Sequence, residues 1–395
     1  MADKGKILQN LTGKSNLRKI SSLKKLVKLE KVNKELIPIK KDLAPLHFTS
    51  DAYYSLYSPT VCAYVAYKCG SQVASINDYA TLCYYKEFEK ACNVLKIPFS
   101  CGFHINCKPL FNEKSSKYYA YGINSKDAKL LDAELKPYRE EKKTSVLKTI
   151  NNVNKALNCF GINVLEKEVF KDLRYKNGCI TEKSVAKVLA EKIVKKYENP
   201  LDIIKFLKEE LSIDSCESDL RFINESKNNY FVEDLAKVLY VKYSLLKPIE
   251  EVKDSRIFID LCKKYGAISS YKLEITKFTK ENLSNIADVL LENGFNAVTI
   301  KFDNIKEKDA LKVVEYFYER GLLTISLYRI GLPRQHMPQS EISDKLYLNA
   351  LAVVGSSLSA KCDYNDSLFS ENTVKMCPDL TKRVEIFSNI VKKGN

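Results

Sequence analysis

Three short stretches of this 395-residue chain hold the residue types able to do chemistry at strand ends. They are Leu46-His47-Phe48-Thr49, Ile76-Asn77-Asp78-Tyr79-Ala80-Thr81-Leu82 and Gly102-Phe103-His104-Ile105. Two of the chain's three histidines lie in them, and the third, His336, reads as a loop residue. In parallel α/β folds the reacting groups sit at the carboxyl ends of the strands, and each stretch stands at such an end. Other chemistry is missing from the sequence. It contains no Gly-x-Gly-x-x-Gly, no phosphate-binding loop and no Gly-x-Ser-x-Gly. Cys101 and Cys107 flank His104, but alternation along a strand does not make either thiol its partner.

The elements that must position these residues follow from apolar periodicity. Cys62 to Cys69 reads as a helix ending at Gly70, Val73 to Ile76 as a strand, Lys86 to Lys96 as a helix broken by Pro98, and Ser100 to Asn106 as a strand. Residues 126–255 change character and read as mainly helical, with stripes through Val146, Ile150 and Val153, through Val185, Leu189 and Ile193, and through Phe206, Leu207 and Leu211. Alternation returns after residue 255. A helix with Leu283, Ala287 and Leu290 inward stops at Gly294, a strand runs from Asn296 to Phe302, a helix stops at Gly321, and a strand runs from Leu323 to Leu327. Strand–helix–strand units with short links imply parallel pairing. Pattern alone leaves an open doubly wound sheet as the alternative.

The ordered motifs resemble the PHP (polymerase and histidinol phosphatase) family, found in histidinol phosphatases, bacterial replicative polymerases and stand-alone phosphoesterases. The family's first strand ends in His-x-His, and His47-Phe48-Thr49 stands there. Tyr57-Ser58-Pro59 matches a following segment. Asp78-Tyr79-Ala80-Thr81-Leu82, followed by Glu87-Phe88, matches Asp-His-Asp-Thr-Leu and its helix. Gly102-Phe103-His104 matches Gly-x-Glu. Softer likeness continues through Tyr119-Ala120-Tyr121-Gly122, Thr181-Glu182, the segment from Gly294 to Thr299, and Pro333-Arg334-Gln335. The likeness spans roughly residues 35–390 and implies an α/β fold, a distorted (β/α)7-type barrel with a mainly helical insertion. The divisions expected are 1–45 (basic amphipathic helix and lead-in), 46–125 and 256–335 (two barrel parts), 126–255 (helical insertion) and 336–395 (C-terminal helical segment).

Enzymes of the family hold divalent metals that create a hydroxide and neutralise phosphate. Here Thr49 replaces the second histidine, Tyr79 and Ala80 replace the His-Asp after Asp78, and His104 replaces the glutamate. What the resemblance leaves is His47, Asp78 and His104, a set of donor types able to hold one zinc or manganese ion. The expectation is a barrel that holds no cofactor and binds a small phosphorylated or anionic ligand through Arg329, Arg334 and Tyr79 without hydrolysing it. The alternative is an active metal-dependent phosphoesterase using His47, Asp78 and His104.

Charge supplies a further alternative. The chain carries a formal +15, and residues 1–45 hold 12 Lys/Arg against 4 Asp/Glu. A basic arm of this kind can bind nucleic acid. The competing expectation is an amphipathic helix that packs on the domain through Leu17, Ile20, Leu23, Val27 and Leu29. No apolar run is long enough to span a membrane. The first residues lack the apolar stretch of a secretory leader. None of the 12 cysteines is spaced as Cys-x-x-Cys or as a zinc finger. Reduced thiols used as small hydrophobes, and a cytoplasmic location, are therefore expected.

Overall fold

The structure is a computed structural model that describes residues 4–11, 15–32, 46–48, 50, 57–111, 116–171, 178–213, 231–247, 253–273, 280–300, 307–330, 344–358 and 366–394. The chain divides into two compact units, Met1–Leu135 with Val252–Asn395, and Lys136–Glu251.

The first unit is built on β1 (Leu46–Phe48), β2 (Ala74–Tyr79), β3 (Phe99–Cys107), β4 (Ser116–Tyr121), β5 (Ile268–Leu273), β6 (Ala297–Ile300), β7 (Leu323–Ser326) and β8 (Tyr328–Ile330). Among the described residues these form one sheet in the order β7-β6-β5-β4-β3-β2-β1-β8. The two ends of that order, β7 and β8, are consecutive pieces of chain separated by Leu327. Since β7 pairs with β6 and β8 pairs with β1, the sheet curls back on itself as a distorted barrel.

It is not a full (β/α)7 barrel. β4 runs antiparallel to both β3 and β5, which corrects the expectation of a wholly parallel sheet. The reason is covalent. The chain between Cys107 and Ser116 is shorter than the roughly dozen residues a parallel crossover needs, so it can return only as a hairpin.

Local chemistry sets the elements around the site. All six residues of β2 are buried, as expected for a strand covered on both faces. The helix Pro59–Lys68 starts where Ser58 Oγ accepts from the Val61 amide at 3.3 Å, with proline at its first position. Phe258, on the helix Ser255–Lys264, packs edge-on to Phe103 and Tyr118 at ring separations of 6.0 and 5.5 Å. The helices Asp344–Ser357 and Leu380–Gly394 approach closely at Gly355, where a Cβ would lie 2.0 Å from the Phe387 carbonyl oxygen.

The basic helix Asn16–Val32 packs on this unit through a face that includes Leu23 of the expected stripe but turns Leu17 outward. Lys19, Ser22, Leu23, Leu26 and Glu30 are buried, whereas Leu17 is 80% exposed. Lys19 Nζ lies 2.9 Å from the Glu87 carboxylate, and both side chains are buried. A buried lysine is tolerable only beside such a partner, so this pair dictates which way the helix turns.

The regular elements described in the second unit are helices, among them Lys136–Leu157, Glu166–Lys171, Glu182–Lys196, Pro200–Glu209 and Phe231–Lys242. Val146, Ile150, Val153, Val185, Leu189, Ile193, Leu235 and Leu239 share one core. Within it Lys142 and Glu182 form a buried ion pair at 2.7 Å.

No helix among the described residues is long and apolar enough to cross a membrane.

Candidate functional site

Register places the residues singled out by sequence. His47 is level with Ser75 of β2 on one side and with Arg329 of β8 on the other. Asn77 is level with Gly102, and Tyr79 with His104. His104 is in turn level with Tyr119, and Tyr119 with Ser270. Residues level across a ladder share a face, and successive residues alternate. Ser75, Asn77, Tyr79, His104, Tyr119 and Ser270 therefore occupy one face of the sheet. Asp78 lies on the other, with Ile76 and Phe103.

On the first face the aromatic rings form a continuous row. Tyr79 meets His104 edge-on at 5.6 Å, His104 lies 5.3 Å from Tyr119, and Tyr119 stacks on Tyr121 at 5.9 Å. The Tyr121 hydroxyl is 3.1 Å from the Thr299 hydroxyl, which is 2.7 Å from that of Ser270. His104 Nδ1 lies 3.1 Å from the Asn77 carbonyl oxygen, so that nitrogen carries the hydrogen and donates. Asn77 Nδ2 donates to the Ala120 carbonyl at 3.2 Å. Asn77 Oδ1 and Ser75 Oγ are buried and have no hydrogen-bond partner among the described residues. Buried polar atoms of this kind are rare, because the lost hydration is not replaced.

Asp78 faces a different neighbourhood. It is fully buried, and its two oxygens accept from the Ser50 amide at 2.8 Å and the Ser50 hydroxyl at 2.5 Å. Just beyond it Ala80 adopts a left-handed backbone with φ of +49°, a conformation costly for a residue with a Cβ. Thr81 and Leu82 then anchor the turn, their hydroxyl and amide both donating to Asp132 Oδ1 at 3.2 and 2.7 Å. Gly102 is required where it stands. A Cβ there would lie 2.1 Å from the Ala120 oxygen and 2.5 Å from Asn77 Nδ2. Tyr84 ties the same place together, its hydroxyl donating to Gly102 O and accepting from Gly102 N.

The structure thus brings Tyr79 and His104 together and separates both from Asp78. Among the described residues no three His, Cys, Asp or Glu side chains converge to hold a metal ion. A divalent cation needs several donors aimed at one point. The described donors do not fit that need, because Asp78 is turned onto Ser50 across the sheet and the His104 ring is packed between Tyr79 and Tyr119. The thiols beside His104 do not substitute. Cys101 and Cys107 fall on the opposite face, and burial pushes both above the ordinary thiol range, which keeps them protonated. Thr49, Arg334 and His336 lie outside the described residues.

Sequence reasoning missed Ser50 and Asp132, and it gave Tyr119, Tyr121 and Thr299 only as parts of softer motifs, without a place at the site. Tyr119-Ala120-Tyr121 does carry a signal, two tyrosines at strand spacing. Ser50 carries none, and nothing in the sequence pairs Thr299 with Tyr121, since these contacts join residues 28 and 178 positions apart.

No family model and no curated protein matches the chain. Solved structures do. A candidate metal-dependent phosphoesterase from Bifidobacterium adolescentis ATCC 15703 aligns with a TM-score of 0.52 and 13% identity, over 78% of this chain and 95% of its own. The fold is phosphoesterase-like. An amidohydrolase from Chromobacterium violaceum, solved with sulfate and no metal, aligns with a TM-score of 0.47 and 13% identity, over 75% of this chain and 92% of its own. At these identities the likeness to the phosphoesterase is one of fold.

Proposed function

We propose that this protein is a degenerate PHP-type barrel, a cytoplasmic non-hydrolysing relative of metal-dependent phosphoesterases, that binds a small phosphorylated or anionic ligand at the site around His104. The observation that carries this reading is the state of the face where the resemblance calls for metal donors. Tyrosine rings flank the one imidazole described there, and Ser75 Oγ and Asn77 Oδ1 are buried without partners among the described residues. Hydroxyl and amide groups suit a ligand that is held by hydrogen bonds rather than through a cation. Tyr79 lines that face, and Arg329 and Arg334 are proposed to supply positive charge for an anion. A ligand hydroxyl or water donating to the two orphaned oxygens would recover their hydration.

Metal content and turnover test the reading. Protein purified without chelator should hold far less than one zinc or manganese per chain and should hydrolyse p-nitrophenyl phosphate near background. The combined variant Thr49→His, Tyr79→His, Ala80→Asp and His104→Glu should gain at least one tightly bound metal. Stoichiometric metal with hydrolysis in the natural protein would make the site altered rather than lost. A folded combined variant that still binds no metal would mean that the wrong residues have been matched to the site.

A further inference from the structure

A second site lies away from the barrel, on the outer side of the first unit. An open cleft of about 280 Å³ runs between the helix Asn16–Val32 and the helix Tyr85–Leu95. Leu17 and Ile20 supply its apolar wall, and Lys24, Lys86 and Lys90 its rim. Leu17 is 80% exposed, and together with Ile20 it gives the cleft apolar surface beside its lysines. Lys86 and Lys90 are one turn apart on one helix, a like-charge spacing that destabilises a helix unless something compensates it. Lys24 adds a third cation from the facing helix. Among the described residues none of the three lysines is in an ion pair. Glu87 also lines the cleft, but its oxygens lie 2.9 and 3.1 Å from Lys19 Nζ, so its charge is already matched.

We propose that this cleft binds a small organic monophosphate, its apolar body on Leu17 and Ile20 and its phosphate among Lys24, Lys86 and Lys90. The volume lies at the lower end of small-molecule pockets, roughly 300 Å³, and the site is concave, which favours a small molecule over an extended polymer. Three ammonium groups match a dianionic phosphate better than a single carboxylate. The proposal does not depend on the barrel reading, because it uses none of the same residues.

Calorimetric titration of the full chain tests it, with adenosine monophosphate, phenyl phosphate, inorganic phosphate and a single-stranded oligonucleotide as probes. At least one organic monophosphate should bind saturably, and at least tenfold more tightly than inorganic phosphate. The double variant Lys86→Gln and Lys90→Gln should weaken that binding at least tenfold while leaving circular dichroism unchanged and Tm no lower, since both side chains are exposed and their mutual repulsion is relieved. Leu17→Ser should weaken the organic monophosphate and leave inorganic phosphate unaffected. His104→Ala should change none of these values. Three results would overturn the proposal: no saturable binding of either organic monophosphate, binding undiminished in the double variant, or binding of the oligonucleotide alone with steep salt dependence.

Discussion

On one face of β2 the Asp78 carboxylate is enclosed, fully buried and met by both the amide and the hydroxyl of Ser50. On the other face Ser75 and Asn77 keep polar atoms unmet beside a row of aromatic rings. The two faces are one residue apart in sequence and opposite in physical state. A charge removed from water must be bonded in place, which makes Asp78 part of the framework. Neutral hydroxyls and amides cost less to leave unbonded, which is why the face of Tyr79 and His104, rather than that of Asp78, is proposed as the ligand side.

The largest disturbance of both faces should come from Gly102→Ala. Its Cβ would meet the backbone of β4 on one side and Asn77 on the other. A loss of about 3 kcal/mol is expected from such overpacking against backbone, read by urea denaturation. Ser50→Ala should act on the Asp78 face alone. It removes one hydrogen bond to a buried carboxylate, and a loss of about 2 kcal/mol follows, with ligand binding at the His104 face intact. If binding falls instead, the two faces are coupled and the comparison fails.

The smallest effect belongs to Tyr121→Phe, about 1 kcal/mol for the hydrogen bond to Thr299. This residue also sharpens the comparison through pH. Burial pushes the phenols of Tyr84 and Tyr121 well above their ordinary value near 10. The folded chain therefore keeps protons that the unfolded chain releases there. Stability is complete below about pH 10 and falls as pH rises beyond it. Ultraviolet titration should leave these tyrosines unionised until unfolding, and Tyr121→Phe should make the alkaline fall shallower.

Much of the framework was legible in the residues. Gly70 and Pro98 punctuate the chain on either side of β2 and the helix after it, so the strand–helix–strand unit could be read from period and breakers. Its edges shifted, since β2 runs from Ala74 to Tyr79 rather than from Val73 to Ile76. Of the three motif stretches the second runs off a strand end, at Tyr79, whereas His47 is the middle residue of β1, and Gly102 to Ile105 lie inside β3, which continues to Cys107. What the sequence could not decide was direction and partnership. β4 is strand-like in composition, yet its antiparallel course follows from the short chain before it and from the edges left open by β3 and β5.

The basic helix shows the same limit. Its amphipathic character and the burial of Leu23 were legible, but the outward turn of Leu17 and the burial of Lys19 were not, because apolar counting favours Leu17 over Lys19. Lys19 is inside because Glu87, 68 residues later, is waiting there with its carboxylate already bound to Thr60. Composition and period depend on near neighbours along the chain, and the sequence determined those. Which polar groups meet, and on which face of β2 they find partners, depends on atoms brought together from distant positions, and only the tertiary structure could decide that.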